Sequence, residues 1–490
     1  MAVVAGVDSS TQSTTVVLHD LDSGELLGVG SAPHSPTFPP VSEQDPAEWW
    51  SALVRAMGTA RERAAVRPED IIGISVAAQC HGLVPLDEHD AVIRPAKLWN
   101  DLTSAAQAEQ LRDRLGVAEW VRRVGLAPTS SFTVAKLAAF AANEPERYRR
   151  LRHVLLPHDW LIHRLSGRYV SDRSGASGTA YFNAEQMAYD SEILALIDPD
   201  RDWDEALPTV LPPGQPAGAV LPAVADELGI SRRATVGAGA GDQHAGAVGL
   251  GVTLGDLVLV LGTSGVVYGL HPNPVLDPTG VVNSVAAVAG GYQPLIGMVN
   301  CTKVTDSFAR LLGVDLDTLA ELALAAPRTA ARPVLAAYLD GERFPDRPTA
   351  RGTISGLTSA TTREDIALAA YEGVVFGLER ARRHLGSFDI DLSGRAILIG
   401  GGAASPAYRQ LLADATGKPI QCSATRQPVA SGAAVQAAAA VTGQPLADLS
   451  SAWAGATEVV AEPETPFIDT VFARYQSVAD WEGADSWQQN

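Results

Sequence analysis

Val3-Val4-Ala5-Gly6-Val7, then Asp8-Ser9-Ser10-Thr11-Gln12-Ser13, then Thr14-Thr15-Val16-Val17-Leu18: the chain opens on an apolar run, a small polar turn and a β-branched run. β-Branched residues fit a pleated surface and small polar residues fit a turn, so this stretch predicts a hairpin. A second turn, Asp22-Ser23-Gly24, leads into a third strand. Roughly 250 residues later the pattern returns: Gly255-Asp256 opens Leu257 to Leu261, Gly262-Thr263-Ser264-Gly265 makes a turn, and Val266 to Leu270 follows. Two such openings in one chain point to an internal duplication on the scale of a domain.

Outward from the first hairpin, Pro36, Pro39 and Pro40 mark a loop. Asp45-Pro46-Ala47-Glu48 is then a helix start, with Asp45 as N-cap and Glu48 three residues on. Trp50, Leu53, Val54 and Met57 share one face of that helix. Ile71 to Ala78 reads as a buried strand ending in Gln79-Cys80-His81-Gly82, with a hairpin expected across Asp87 to Asp90 and several helices between 103 and 200. The proline-rich stretch Pro208 to Pro222 suits a loop or linker. The expected division is residues 1–236, 237–478 and an acidic polar tail, 479–490, that frays.

Length supports two bodies, because a single core stops growing near ~250–300 residues and this chain has 490. With 37 Lys+Arg against 56 Asp+Glu the formal charge is −19, and no basic block appears, which argues against a nucleic-acid groove. Three cysteines, Cys80, Cys301 and Cys422, form neither a disulfide framework nor a metal-ligand spacing. The first residues lack a basic region and a cleavage site, and no long uninterrupted apolar run occurs; a cytoplasmic protein without membrane contact is expected.

Four stretches could carry chemistry. The Asp8 to Ser13 turn can offer amide and hydroxyl donors to an anion, with Asp8 holding a hydrated Mg2+; an ordinary capped turn reads as well. Gly262 to Gly265 makes a second phosphate cradle or a tight hairpin. Val236 to Gly249 is glycine-rich around Asp242, a candidate general base or a helix N-cap, while His244 behind it reads as structural. Ile397 to Ile399 followed by Gly400-Gly401-Gly402 and a helix from about Pro406 can bind phosphate or nucleotide through amides and the helix dipole. It is neither a P-loop nor a dinucleotide fingerprint. Gly341-Glu342-Arg343 to Gly352 reads as a solvated charged loop.

The order of these motifs resembles the FGGY carbohydrate kinases of the actin-like ATPase superfamily over about residues 3–475. The stretches Ser42 to Pro46 before Trp49-Trp50, Gln79 to Gly82, Leu98 to Asp101, Leu155 to Asp159, Gly241 to Gln243, Leu261 to Gly265 and Tyr338 to Arg343 are similar to its xylulokinase branch. The resemblance implies an α/β fold of two actin-like (ribonuclease H-like) ATPase domains with an interdomain cleft. It implies ATP- and Mg2+-dependent phosphorylation of a ketose, D-xylulose to D-xylulose 5-phosphate, with Asp242 as general base. Asp8 and Asp242 would hold the metal; Ser10, Thr11, Gly262 and Thr263 would contact phosphates; Gly400, Gly401, Gly402 and Ser405 would line the adenosine side. Gln79, Cys80, His81, Trp99, Asn100, Asp101 and Gln243 would form the sugar wall. The implied partners are the sugar and ATP alone, and a homodimer is compatible with the resemblance.

Several positions depart from the family pattern. Thr15 stands where the first phosphate loop usually ends in Lys or Arg, and Cys80 where Met precedes the pocket histidine. Leu102-Thr103-Ser104 lacks an expected Arg, Gln243 replaces Asn, and Ala404 and Tyr408 replace Arg and Trp on the adenosine side. These departures leave a ribulose-type or polyol kinase, or a non-catalytic nucleotide-binding sensor, as alternatives. If Cys80 faces the sugar, alkylation should inhibit and xylulose should protect.

Overall fold

The computed structural model describes residues 1–485. Seven principal strands build the first sheet: β1 (Val3–Ser9), β2 (Ser13–Asp20), β3 (Leu26–Pro33), β4 (Ile71–Ala78), β5 (Gly218–Ala219), β6 (Thr235–Val236) and β7 (Ala240–Gly241). Their order is β5-β6-β4-β1-β2-β3, with β7 also pairing β4. The second sheet contains β8 (Leu257–Leu261), β9 (Gly265–Tyr268), β10 (Asn283–Ala286), β11 (Tyr292–Met298), β12 (Ala396–Ile399), β13 (Ile420–Ser423) and β14 (Thr457–Ala461), in the order β10-β11-β9-β8-β12-β13-β14.

The two sheets repeat one plan. β1 pairs antiparallel with β2 and parallel with β4, as β8 does with β9 and β12. β4 pairs parallel with β6, which pairs antiparallel with β5; β12, β13 and β14 repeat both relations. The duplication expected from two hairpins therefore extends across whole sheets. The fold class is α/β with two such bodies, and among the described residues no helix is long and apolar enough to cross a membrane.

Strand alternation decides what covers each face. Val3, Ala5 and Val7 point to α1 (Pro46–Ala64) and pack with Trp49, Trp50, Leu53 and Met57. Asp45 caps α1 as expected, accepting from the Ala47 amide at 3.0 Å, whereas Glu48 reaches the Ser35 hydroxyl at 3.1 Å instead of returning to the cap. Val4 points the other way, toward α8 (Pro428–Thr442), whose buried alanines lie on this face. Gly6 faces α8 so closely that a Cβ there would come within 1.9 Å of the Ala430 carbonyl oxygen, which excludes any larger residue. Asp8 continues this alternation at the open end.

The remaining helices named below are α2 (Pro157–Ser166), α3 (Arg173–Ser177), α4 (Asp242–Gly249), α5 (Thr302–Leu312), α6 (Arg363–Gly386) and α7 (Pro406–Thr416). α4 lies between the sheets. Its Ala245 and Val248 pack with the alanines of α8, while Ala247 packs against Val258, Tyr268 and Ile397 of the second sheet.

Local expectations are met unevenly. Residues 208–222 are not a free linker: Thr209–Leu211 pairs with Val170–Asp172, and β5 pairs β6. The turn at Asp87 to Asp90 does fold back antiparallel, with a Leu86 to Val92 bridge and the Asp87 amide on the Ala91 carbonyl at 3.0 Å, although the longer pairing of Val84–Leu86 is with His153–Leu155. The start of the tail is anchored, since Arg347 binds Asp485 at 2.7 Å and the Trp481 carbonyl at 2.8 Å. Residues 486–490 lie outside the described chain. The first sheet also runs past residue 236, as β7 pairs with Ala77 and Ala78.

Candidate active site

β1, β4 and β7 run parallel, so their carboxyl ends deliver Asp8, Gln79-Cys80-His81 and Asp242 to one edge of the first sheet. Ligands of open α/β sheets bind at such edges, where successive turns converge. Asp8 accepts the Ser10 hydroxyl at 2.6 Å. Its pKa is pushed up to about 7, first by burial, with the Asp242 charge adding and the Ser10 hydroxyl opposing. The Asp242 charge is therefore felt at Asp8. Thr15 is the residue opposite Asp8 in the hairpin register and its hydroxyl shares a hydrogen bond with the Ser31 hydroxyl at 3.1 Å, so no cation stands beside Asp8 from that strand.

Asp242 begins α4, and burial raises its pKa. Cys80 donates its thiol to Asp242 Oδ1 at 3.1 Å, and the Gln243 amide donates to the same oxygen at 2.8 Å. Burial and the Asp242 charge hold the Cys80 pKa well above the usual thiol range. Cys80 is accordingly a neutral donor at physiological pH and a slow target for alkylation.

The expected sugar wall divides into two kinds of residue. Thr11 donates to Gln79 Oε1 at 3.3 Å and accepts from Trp99 Nε1 at 3.1 Å, linking the first turn to the wall. His81 has φ +63° and meets Phe132 edge-on at 4.9 Å. Burial, then the charges of Lys136 and His244, depress its pKa to about 3, leaving a neutral imidazole suited to a hydroxyl. Asn100 carries a buried side-chain oxygen with no hydrogen-bond partner. Asp101 is different: it is fully buried and accepts from the Ser42 amide at 2.9 Å, the Thr103 amide at 3.1 Å and Lys97 Nζ at 3.3 Å. Its carboxylate is committed to the loop that presents Trp99 and Asn100. Gln243 is exposed at the start of α4.

The second sheet contributes mostly backbone. β8 and β12 are parallel neighbours, so Gly262-Thr263-Ser264 and Gly400 to Gly402 emerge at the same end. Thr302, at the start of α5, donates its amide and hydroxyl to the Gly262 carbonyl at 3.1 and 2.9 Å, holding the turn while Thr263 and Ser264 stay exposed. Gly400 has φ +94°, and a Cβ would meet the Leu261 carbonyl oxygen at 2.5 Å. Ser405 is the N-cap of α7 and donates to the Tyr371 hydroxyl at 3.3 Å. Tyr408 points into the core, edge-on to Tyr371 at 4.6 Å, so it cannot stack on a base as the residue usual at that position could.

Both halves match models of the FGGY family of carbohydrate kinases, the N-terminal domain over residues 3–249 and the C-terminal domain over 257–441. The chain belongs to that family. It is 40% identical to the xylulose kinase of Streptomyces rubiginosus over 465 residues, covering 94% of this chain and 92% of the relative. The crystal structure of xylulose kinase from Bifidobacterium adolescentis superposes with a TM-score of 0.86 at 35% identity, covering 97% of this chain and 99% of that one. Plasmodium falciparum glycerol kinase with ADP shares the fold at TM-score 0.86 and 18% identity, over 100% of this chain and 99% of that one.

In this FGGY kinase one buried cluster behind the site escaped the reading of single motifs. His158 Nε2 lies 3.0 Å from Asp159 Oδ1 and 3.3 Å from Asp172 Oδ1, all three being buried. Burial opposes the imidazolium, but the two carboxylates outweigh it and push the His158 pKa up to about 10. Asp172 also caps α3, accepting from the Ser174 and Gly175 amides at 2.8 and 2.9 Å. α3 reaches the second sheet, where the Ala286 amide donates to Ser177 Oγ at 2.9 Å. His158 also backs the β6–β7 connection, since a Cβ on Gly239 would lie 3.0 Å from its ring. The Leu155 to Asp159 motif was the available signal; its partner Asp172 lies too far along the chain to be read with it.

Proposed function

We propose that the chain transfers the γ-phosphoryl group of ATP to the terminal hydroxyl of a ketopentose, making D-xylulose 5-phosphate from D-xylulose. The observation that carries this reading is the edge where Asp8, Cys80, His81 and Asp242 converge, in a chain similar to xylulose kinases over nearly its full length. Asp242 takes the hydroxyl proton as general base. Its raised pKa brings it nearer the working pH, and the loose transition state of phosphoryl transfer asks for a late proton acceptor and accurate placement more than a strong base.

The neutral His81 and the unpaired oxygen of Asn100 suit sugar hydroxyls, with Gln79, Cys80, Trp99 and Gln243 around them and Asp101 fixing the loop. Ser10, Thr11, Gly262 and Thr263 offer donors to the phosphates, and Gly400, Gly401, Gly402 and Ser405 face the adenosine. Asp8 and Asp242 fit a divalent cation: the Asp242 charge raises the proton affinity of Asp8, and with no cluster of three His, Cys, Asp or Glu side chains among the described residues the pair suits Mg2+ that takes its other ligands from phosphate and water. When bound, Mg2+ would neutralise charge on the phosphates. Closure of the two bodies keeps water from the transfer.

A panel of D-xylulose, D-ribulose and glycerol, each with ATP and Mg2+ and coupled ADP detection, tests the substrate. Xylulose should give the highest kcat/KM. A higher value with ribulose or glycerol would remove the substrate assignment, and no stimulation by any of them would remove the kinase reading.

A further inference from the structure

The charged loop expected to be solvated is anchored instead. Glu342 is buried, and its carboxylate accepts from the Val299 amide at 2.6 Å, the Asn300 amide at 3.2 Å, Asn300 Nδ2 at 2.8 Å and the Arg343 amide at 2.8 Å. These bonds fix the loop to the end of β11. Two residues further on, Thr302 grips the Gly262 carbonyl, so the Glu342-Arg343 loop and the second phosphate turn share one support.

Arg343 projects from this support. Its Nη1 lies over Gly297, where a Cβ would approach it to 3.4 Å, and Gly297 is the register partner of Val266, beside the Gly262 to Gly265 turn. The guanidinium charge also reaches His81 on the opposite body and helps to depress it. Among the described residues its guanidinium makes no ion pair or hydrogen bond, although Glu342 is its sequence neighbour. Solvent reaches the side chain, yet surrounding protein lowers its pKa from the usual arginine value, with Glu342 opposing. The other cation on this side, Lys303, is already paired with Asp340 at 2.8 Å. A guanidinium fork that is charged, unpaired and set beside the second phosphate turn is matched to an anion with several oxygens.

We propose that Arg343 is a catalytic residue that holds the non-bridging oxygens of the phosphoryl group during transfer. The bond between the γ-phosphorus and the bridging oxygen breaks, and that oxygen leaves with ADP. A bond forms to the sugar's terminal oxygen, whose proton goes to Asp242. Arg343 donates hydrogen bonds and no proton. It supplies the positive charge that Thr15 does not bring to the first turn. The proposal rests on the kinase reading above.

The test compares Arg343→Ala and Arg343→Lys with the wild type in the full-length protein, measuring kcat, both KM values, ADP binding and Tm. Arg343→Ala should lower kcat about 100- to 1,000-fold, with Tm unchanged and xylulose KM and ADP Kd within about threefold. Arg343→Lys should recover part of the loss, because a point charge replaces the fork. A kcat within threefold of wild type, a rise in xylulose KM at constant kcat, or a loss that follows Tm would overturn the proposal while leaving the kinase reading intact. If the wild type itself shows no sugar-dependent ADP release, both fall together.

Discussion

The two sheet ends proposed as the walls of the site repeat one strand plan and yet are built by different means. On the first wall, side chains hold one another: Thr11 joins Gln79 to Trp99, Cys80 touches Asp242, and the Asp101 carboxylate is used up inside its own loop. On the second wall the turns we propose for the phosphates and adenosine are mainly backbone, with Gly262, Thr263 and Gly400 to Gly402 placed by Thr302 and by close packing on Leu261. A sugar is recognised hydroxyl by hydroxyl, which needs fixed side chains. A nucleotide's phosphates accept from amides wherever the backbone can come close. On the proposed function, the duplicated fold is specialised through its turns rather than its strands.

The strongest way to break this contrast is to remove what stiffens the first wall. His158→Ala would leave Asp159 and Asp172 buried without their cation, and we expect about 3–5 kcal/mol of destabilisation, read as a lowered Tm. The pH dependence has a definite sign. The folded pKa of His158 is raised to about 10, so its contribution is complete below its unfolded pKa near ~6.5 and fades as pH rises toward 10. The stability gap between wild type and variant should therefore shrink from pH 6.5 to 10. A gap that is constant across this range would mean that His158 is not the buried cation.

Gly400→Ala attacks the second wall. The positive φ and the Leu261 carbonyl oxygen make any Cβ strained there, at a cost of about 1–3 kcal/mol. The expected result is a roughly tenfold higher ATP KM with xylulose KM unchanged. Equal effects on both substrates would erase the division between walls. Cys80→Ala is the mildest change. It removes one weak donor to Asp242, and kcat should fall about threefold, without the large loss expected of an activated thiol. Iodoacetamide should inactivate the enzyme slowly, since the thiol is held neutral.

Much of this was legible in the chain. The hairpin, the Ile71–Ala78 strand and the repeat near residue 257 follow from alternation and turn chemistry, which act over a few residues. What could not be read depends on long-range return. α8 is rich in alanine and shows no single apolar stripe, because it is buried between the first sheet and α4, so its packing on β1 leaves no periodic signal. The His158 cluster and the anchoring of Glu342 join residues that only the folded chain brings together. Tyr408 occupies an adenosine-side position in the motif but turns inward, a side-chain direction that spacing alone does not specify.

The central claim is that Asp242 takes a proton from a sugar held by the first wall while ATP lies on the second. The most direct test measures D-xylulose 5-phosphate formation and the binding of both substrates for wild type and Asp242→Asn, side by side. The account predicts sugar phosphate from the wild type, and from the variant near-normal xylulose binding with turnover reduced by about 1,000-fold or more. Turnover of Asp242→Asn within tenfold of wild type, or ATP hydrolysis by the wild type with no sugar phosphate formed, would contradict it.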